Sequence, residues 1–144
     1  MRWMPAPPLL AALVVSPVLL ASAACGGPKR LPLYPVTGQV SFKGKPTPGA
    51  LVVFQHLQHN AVQPSGYVRE DGSFQLTTYA KDDGAPEGEY TVMITWTERD
   101  ARPDPKTGEV PNRLPARYAS PRTSGLRVKV EKGTNNQPRF QLSP

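Results

Sequence analysis

The stretch Glu87–Trp96, EGEYTVMITW, limits the possible folds more than any other. Tyr90, Val92, Ile94 and Trp96 fall on alternate positions, with Thr91, Met93 and Thr95 between them. β-Branched and aromatic residues in a period of two fit a strand with one buried face. The Asp83-Gly84-Ala85-Pro86 punctuation upstream, with Gly88 near the start, gives the stretch a sharp beginning. The expectation is a central strand with other segments laid against its apolar side.

Six further segments carry strand signals. Val36–Phe42 places Val36, Gly38, Val40 and Phe42 on one parity, and its glycine leaves room for a close neighbour or marks a bulge. Lys43–Gly49 reads as a turn. Ala50–His56 is apolar on both parities at first, as a strand between two covered surfaces would be. Gly66–Arg69 and Ser73–Tyr79 flank an Asp71-Gly72 hairpin turn. Leu126, Val128 and Val130 alternate with Arg127, Lys129 and Glu131, and Phe140 and Leu142 close the chain. Eighteen prolines in 144 residues argue against long helices, and no helical period appears beyond the N-terminal segment. Seven short strands separated by turn signals predict an all-β fold, a seven-stranded antiparallel β-sandwich over residues 36–144. The proline-rich connection from Glu98 to Ser124 lacks periodicity, which suits a functional or mobile loop.

The N-terminus has the layout of a signal peptide. Arg2 gives the positive start, Leu9–Leu20 an apolar run too short for a comfortable membrane span, and Ala21–Ala24 a small-residue site. Cys25 follows at once and resembles the acylated cysteine of a bacterial lipobox, although Ser22 stands where that pattern usually has leucine. Ala21-Ser22-Ala23 also satisfies the rule for an ordinary signal peptidase, so a secreted form and an uncleaved anchor stay open. The reading divides the chain into a lipoprotein signal peptide (1–24), a Gly/Pro-rich tether (25–35) and one folded domain (36–144). Cys25 is the sole cysteine; a lone exported thiol is a liability that acylation removes. The expected location is the cell envelope, with the lipid anchor in a membrane. Gly26 lacks the acid that favours inner-membrane retention in the lipoproteins it resembles, which leans towards the outer membrane.

Val36-x-Gly38-x-Val40-x-Phe42-x-Gly44-Lys45-Pro46, Gly49-Ala50-x-Val52-x-Phe54, Asp71-Gly72-x-Phe74-x-Leu76-x-Thr78 and Gly84-Ala85-Pro86-x-Gly88-x-Tyr90-x-Val92 form an ordered set. Together with Leu114-Pro115-x-x-Tyr118 and Ser124-Gly125-Leu126-x-Val128-x-Val130, they resemble the carboxypeptidase regulatory-like (transthyretin-like) domain of small bacterial lipoproteins. The resemblance implies a seven-stranded sandwich and carries no catalytic residues. The zinc peptidase domain that such modules accompany is absent, as are its zinc patterns.

Candidate chemistry is sparse. His56 and His59 straddle a strand end, where residues three apart face opposite ways, so no metal site is expected. Asp71, Asp82 and Asp83 lack the alternate oxygen ligands of a calcium loop and suit turn capping. No nucleophile elbow accompanies the serines, so the expectation is a non-enzyme without cofactor. Trp96 continues the buried parity of the central strand, with sugar stacking as the alternative, and Tyr118 is expected to pin the long connection. The formal charge is +6. Arg127, Lys129 and Arg139 face outward on the last two strands with Lys132 in their turn, and would form a basic stripe if those strands pair. Such a stripe suits either a solvated face or contact with anionic head groups or polymer. Nucleic acid is not an expected partner of an exported chain without a basic-aromatic platform. The leading reading is a lipid-anchored interaction or structural module of the envelope. The alternative is a small carbohydrate-binding module using the loops beside Trp96 and Tyr118.

Overall fold

The computed structural model describes residues 3, 27, 29–58, 62–98, 100–133 and 136–144. Segment 1–24 apart from Trp3, Cys25 and His59 lie outside the described residues, so the readings made on them stay expectations. Eight strands and one short 3-10 turn follow in order: β1 (Thr37–Phe42), β2 (Lys45–Pro46), β3 (Leu51–His56), β4 (Ser65–Tyr67), β5 (Ser73–Gln75), β6 (Gly88–Thr95), η1 (Ala116–Ala119), β7 (Arg127–Val130) and β8 (Arg139–Leu142). Among the described residues no helix is long and apolar enough to cross a membrane.

The strands form two sheets packed as a sandwich. One runs β4-β3-β6-β7, all antiparallel. In the other, β1 pairs antiparallel with β2 and β5 and parallel with β8. The expected strand β6 lies at the centre of its sheet, with β3 on one side and β7 on the other. Its alternation does what the period implies: Tyr90, Val92 and Ile94 are fully buried.

Three aromatic rings tie the sheets together. Phe54 of β3 meets Phe74 of β5 and Phe140 of β8 edge-on, each with ring centroids 6.4 Å apart. Phe74 and Phe140 stack at 6.3 Å. Such geometries add about 0.5–1.5 kcal/mol per pair beyond the area they bury. Gly38 admits this cluster, because a Cβ there would sit 2.3 Å from Cζ of Phe74. The close neighbour expected at Gly38 is therefore the Phe74 ring.

Four differences from the expected layout have physical causes. Lys43-Gly44 is a two-residue hairpin loop, so Lys45–Pro46 pairs back onto β1 as an eighth strand. The Asp71-Gly72 turn is present, but the strands it joins enter different sheets: β4 pairs with β3, and β5 with β1. The chain crosses between sheets there, and an isolated bridge, Ser65 to Thr77, stitches the edge. The outer parity of β3, Leu51 and Val53, is half-buried where full cover on both faces was expected. The fourth difference is that β8 lies parallel to β1, where antiparallel pairing was expected throughout; β7 lies against β6 in the opposite sheet, so β7 and β8 do not pair. Strand proximity in sequence sets no partner when a parallel neighbour completes the other sheet.

Candidate functional site

Strand β6 has two contrasting ends. At its start, Gly88 lies beside His56 and the incoming chain; at its finish, Thr95 leads into Trp96 and the long connection. The eight residues of β6 set these ends seven steps of about 3.4 Å apart, roughly 24 Å.

At the entry end, the last tether residues belong to the fold. Tyr34 pairs with Ala85, each amide donating to the other's carbonyl at 2.9 and 3.0 Å. The Leu31 amide donates to the Tyr79 hydroxyl, and the Arg30 guanidinium lies 5.2 Å from the centre of that ring. Asp83 shapes the adjoining loop, its carboxylate accepting from the amides of Thr78, Tyr79 and Ala80 at 2.6–2.9 Å. Burial alone would raise its pKa, but the three N–H donors hold it below the ordinary carboxylate value. Asp71 likewise caps a turn: the Ser73 hydroxyl and amide donate to it and lower its pKa. A depression of about 440 Å³ lies here, walled by Leu31, Tyr34, His56, Glu87, Gly88 and Lys132. His56 is buried, accepts the Gln58 amide at Nδ1 and meets the Tyr90 ring edge-on at 4.9 Å. Burial pushes the Tyr90 phenol up to about 12, and its hydroxyl donates to the Pro86 carbonyl at 2.8 Å. Among the described residues no three His, Cys, Asp or Glu side chains converge as a metal site would need.

At the far end, the long connection is anchored from inside. Tyr118 is 5% exposed and joins the core beside Leu114. Its hydroxyl donates to the Ser143 carbonyl at 3.2 Å and accepts the Ser143 amide at 3.0 Å. Arg117 covers the ring, 4.7 Å from its centre, and donates to the carbonyls of Ser143 and Pro144. Burial would raise the Tyr118 pKa, but the Ser143 hydrogen bonds and Arg117 together lower it. Tyr118 thus ties the connection to the C-terminal residues and offers no open ring face.

Trp96 is half-buried against the core. Its indole N–H donates to the Pro48 carbonyl at 2.9 Å, and Arg113, itself paired with Glu98, lies 5.0 Å from the ring centre. Asn112 accepts the Trp96 and Leu114 amides. Strand β6 stops at Thr95, so alternation no longer governs Trp96, which is why it is neither fully inside nor a free platform. The exposed ring at this end is Tyr67, at 69%. It stands opposite Leu51, on the outer face of its sheet. Sequence reasoning did not single it out, although the signal was present: Gly66 and Val68 share the buried parity, which sends Tyr67 outward.

The four basic candidates are dispersed. Arg127 and Lys129 stand on the outer face of β7, and Arg139 on β8 of the other sheet. Lys129 pairs with Glu131 at 3.3 Å, and Lys132 with Glu87 at 3.8 Å. The stripe that pairing of β7 with β8 would have made does not form, because those strands belong to different sheets.

No family model matches the chain, and no curated protein matches it. Among solved structures, it is similar to a DUF3823 family protein from Parabacteroides merdae, with a TM-score of 0.37 and 17% identity. That similarity covers 79% of this chain and 46% of the other, so the chain spans under half of that protein's length. At this level it assigns neither family nor function.

Proposed function

We propose that the protein is a lipid-anchored, non-enzymatic β-sandwich that serves the cell envelope as an interaction or structural module of carboxypeptidase regulatory-like type. The observation that carries the reading is the polarity of the domain. The chain enters at the Tyr34–Ala85 bridge, and the groove lined by Tyr67 and Trp96 lies at the other end of β6. Leu31 follows Cys25 by six chain steps, which reach at most about 22 Å. A lipid on Cys25 would hold the entry end near the membrane and turn the groove outward. Acyl chains contribute about 0.8 kcal/mol per buried methylene, enough together to fix the protein firmly. The non-enzymatic part is supported by the work the loop acids do: Asp71 and Asp83 close turns through backbone amides.

Cells grown with radiolabelled glycerol test the anchor. The expected result is a labelled protein in the membrane fraction, and an unlabelled Cys25→Ser variant released from it. Absence of label in the unaltered protein would remove the anchor. Turnover of ester, peptide or glycoside substrates by the purified chain would remove the non-enzymatic reading.

A further inference from the structure

We infer that the groove at the far end of β6 binds a neutral glycan, with the Tyr67 ring as its stacking platform. This deepens the envelope-module reading by naming a ligand class, and its test does not depend on the lipid anchor. The groove is an open depression of about 910 Å³, within the range of small-ligand sites. Its lining includes Tyr67, Arg69, Glu70, Trp96, Glu98 and Arg113.

Three observations select the ligand. The first is the Tyr67 ring: an aromatic exposed at 69% on a rigid strand presents an apolar face beside a hydroxyl. The C–H face of a sugar ring meets that surface well, and two χ angles cost little to order. The second is the surrounding set of planar polar groups. Arg69 donates to the Gln75 side chain, and Arg113 is held between Glu98 and the Trp96 ring. A guanidinium has five N–H donors, so each arginine keeps donors beyond these contacts, and the carboxylates of Glu70 and Glu98 accept. Hydroxyl pairs on a glycan need donors and acceptors side by side.

The third observation is charge. Among the described residues of the groove, Arg69 and Arg113 balance Glu70 and Glu98, although the chain as a whole carries +6. A polyanion gains no local attraction there, whereas a neutral ligand needs none. A peptide added as a strand is disfavoured for a separate reason. Around β4, Ser65 already pairs with Thr77, the Arg69 amide donates to Ser73, and the Val68 amide donates to Ala50. Among the described residues, the β4 edge therefore leaves an incoming strand no continuous ladder of open backbone groups.

Affinity electrophoresis of the full chain in detergent tests the proposal. The gels carry a soluble β-1,3-glucan, a β-1,4-glucan derivative, an α-1,4-glucan, xylan or mannan, with a polyuronate as the anionic control. At least one neutral polymer should retard the protein, and added salt should not abolish this. Tyr67→Ala should weaken retardation about tenfold, the loss of one aromatic stacking contact. Tyr67→Phe should keep most of it, and both variants should melt with the unaltered chain. No retardation by any of the neutral polymers would overturn the proposal. So would retardation that Tyr67→Ala leaves intact, or binding to the polyuronate alone that salt removes. Labelling of Cys25 is measured separately, so failure of the glycan site and failure of the anchor are distinguishable.

Discussion

The two ends of β6 are built to opposite plans. At the entry end, backbone meets backbone: Tyr34 bridges Ala85, and the Asp83 carboxylate gathers three successive amides. At the far end, a long proline-rich connection is fastened at Tyr118, Leu114 and Asn112, while Tyr67 and the Arg113–Glu98 pair face solvent. The contrast teaches where substitution should hurt. Stability at the far end comes from inside, through a few buried anchors, whereas its outer residues are free to serve a ligand. At the entry end, nearly every group holds the chain in place.

The largest expected effect is at the far end's anchor. Tyr118→Ala should lower unfolding stability by about 3 kcal/mol, read by chemical denaturation, because it deletes a buried ring and its Ser143 hydrogen bonds. A smaller loss would mean that the connection is held mainly by Leu114, and the contrast between anchors and surface would soften.

Next is the entry end's tightest approach. Gly84 has φ +94, and a Cβ there would lie 2.0 Å from the Tyr34 carbonyl oxygen. Gly84→Ala should cost about 2 kcal/mol and speed hydrogen exchange at the Tyr34 and Ala85 amides. Unchanged exchange would show that the tether is not part of the cooperative fold.

Two effects of about 1 kcal/mol should follow, of opposite sign. Asp83→Asn should destabilise by about that much at neutral pH, because an amide accepts the three N–H groups less well than a carboxylate. The native carboxyl titrates below the unfolded value of about 3.9, so its contribution is complete above that pH and lost as pH falls through the lower folded value. The gap between Asp83→Asn and the unaltered protein should therefore narrow below about pH 4. At the far end, the Thr47 hydroxyl is buried with no partner among the described residues. Thr47→Val should raise stability by about 1 kcal/mol, since a methyl replaces an unsatisfied polar atom.

The smallest change should be at the ring proposed to carry the ligand. Tyr67→Ala should move the denaturation midpoint by no more than about 0.5 kcal/mol equivalent. A large loss would make Tyr67 a structural residue and erase the contrast at that end.

Periodicity made the strands legible. Tyr90, Val92 and Ile94 announced β6, and Phe74, Leu76, Phe140 and Leu142 took the buried positions their parity required. Tyr118 also showed itself, as an aromatic in a segment otherwise too polar to hold itself down. Sheet membership was hidden, because alternation fixes which face a side chain takes and says nothing of the neighbouring strand. That is why Arg139 and Lys129 ended in different sheets. Trp96 was half legible: its parity pointed inward, but the strand ends one residue earlier. Tyr67 was readable from Gly66 and Val68, yet only the register against Leu51 shows that it borders the Trp96 groove.

The parallel pairing of β1 with β8 sets Gln39 opposite Arg139, so the earliest strand of the domain waits for the latest. A ribosome delivers the N-terminal end first, and β1 then has β2 and β5 beside it until β8 emerges. Contacts so distant along the chain make closure slow. Closure of that sheet therefore waits for β8, the strand of the domain farthest from β1 along the chain.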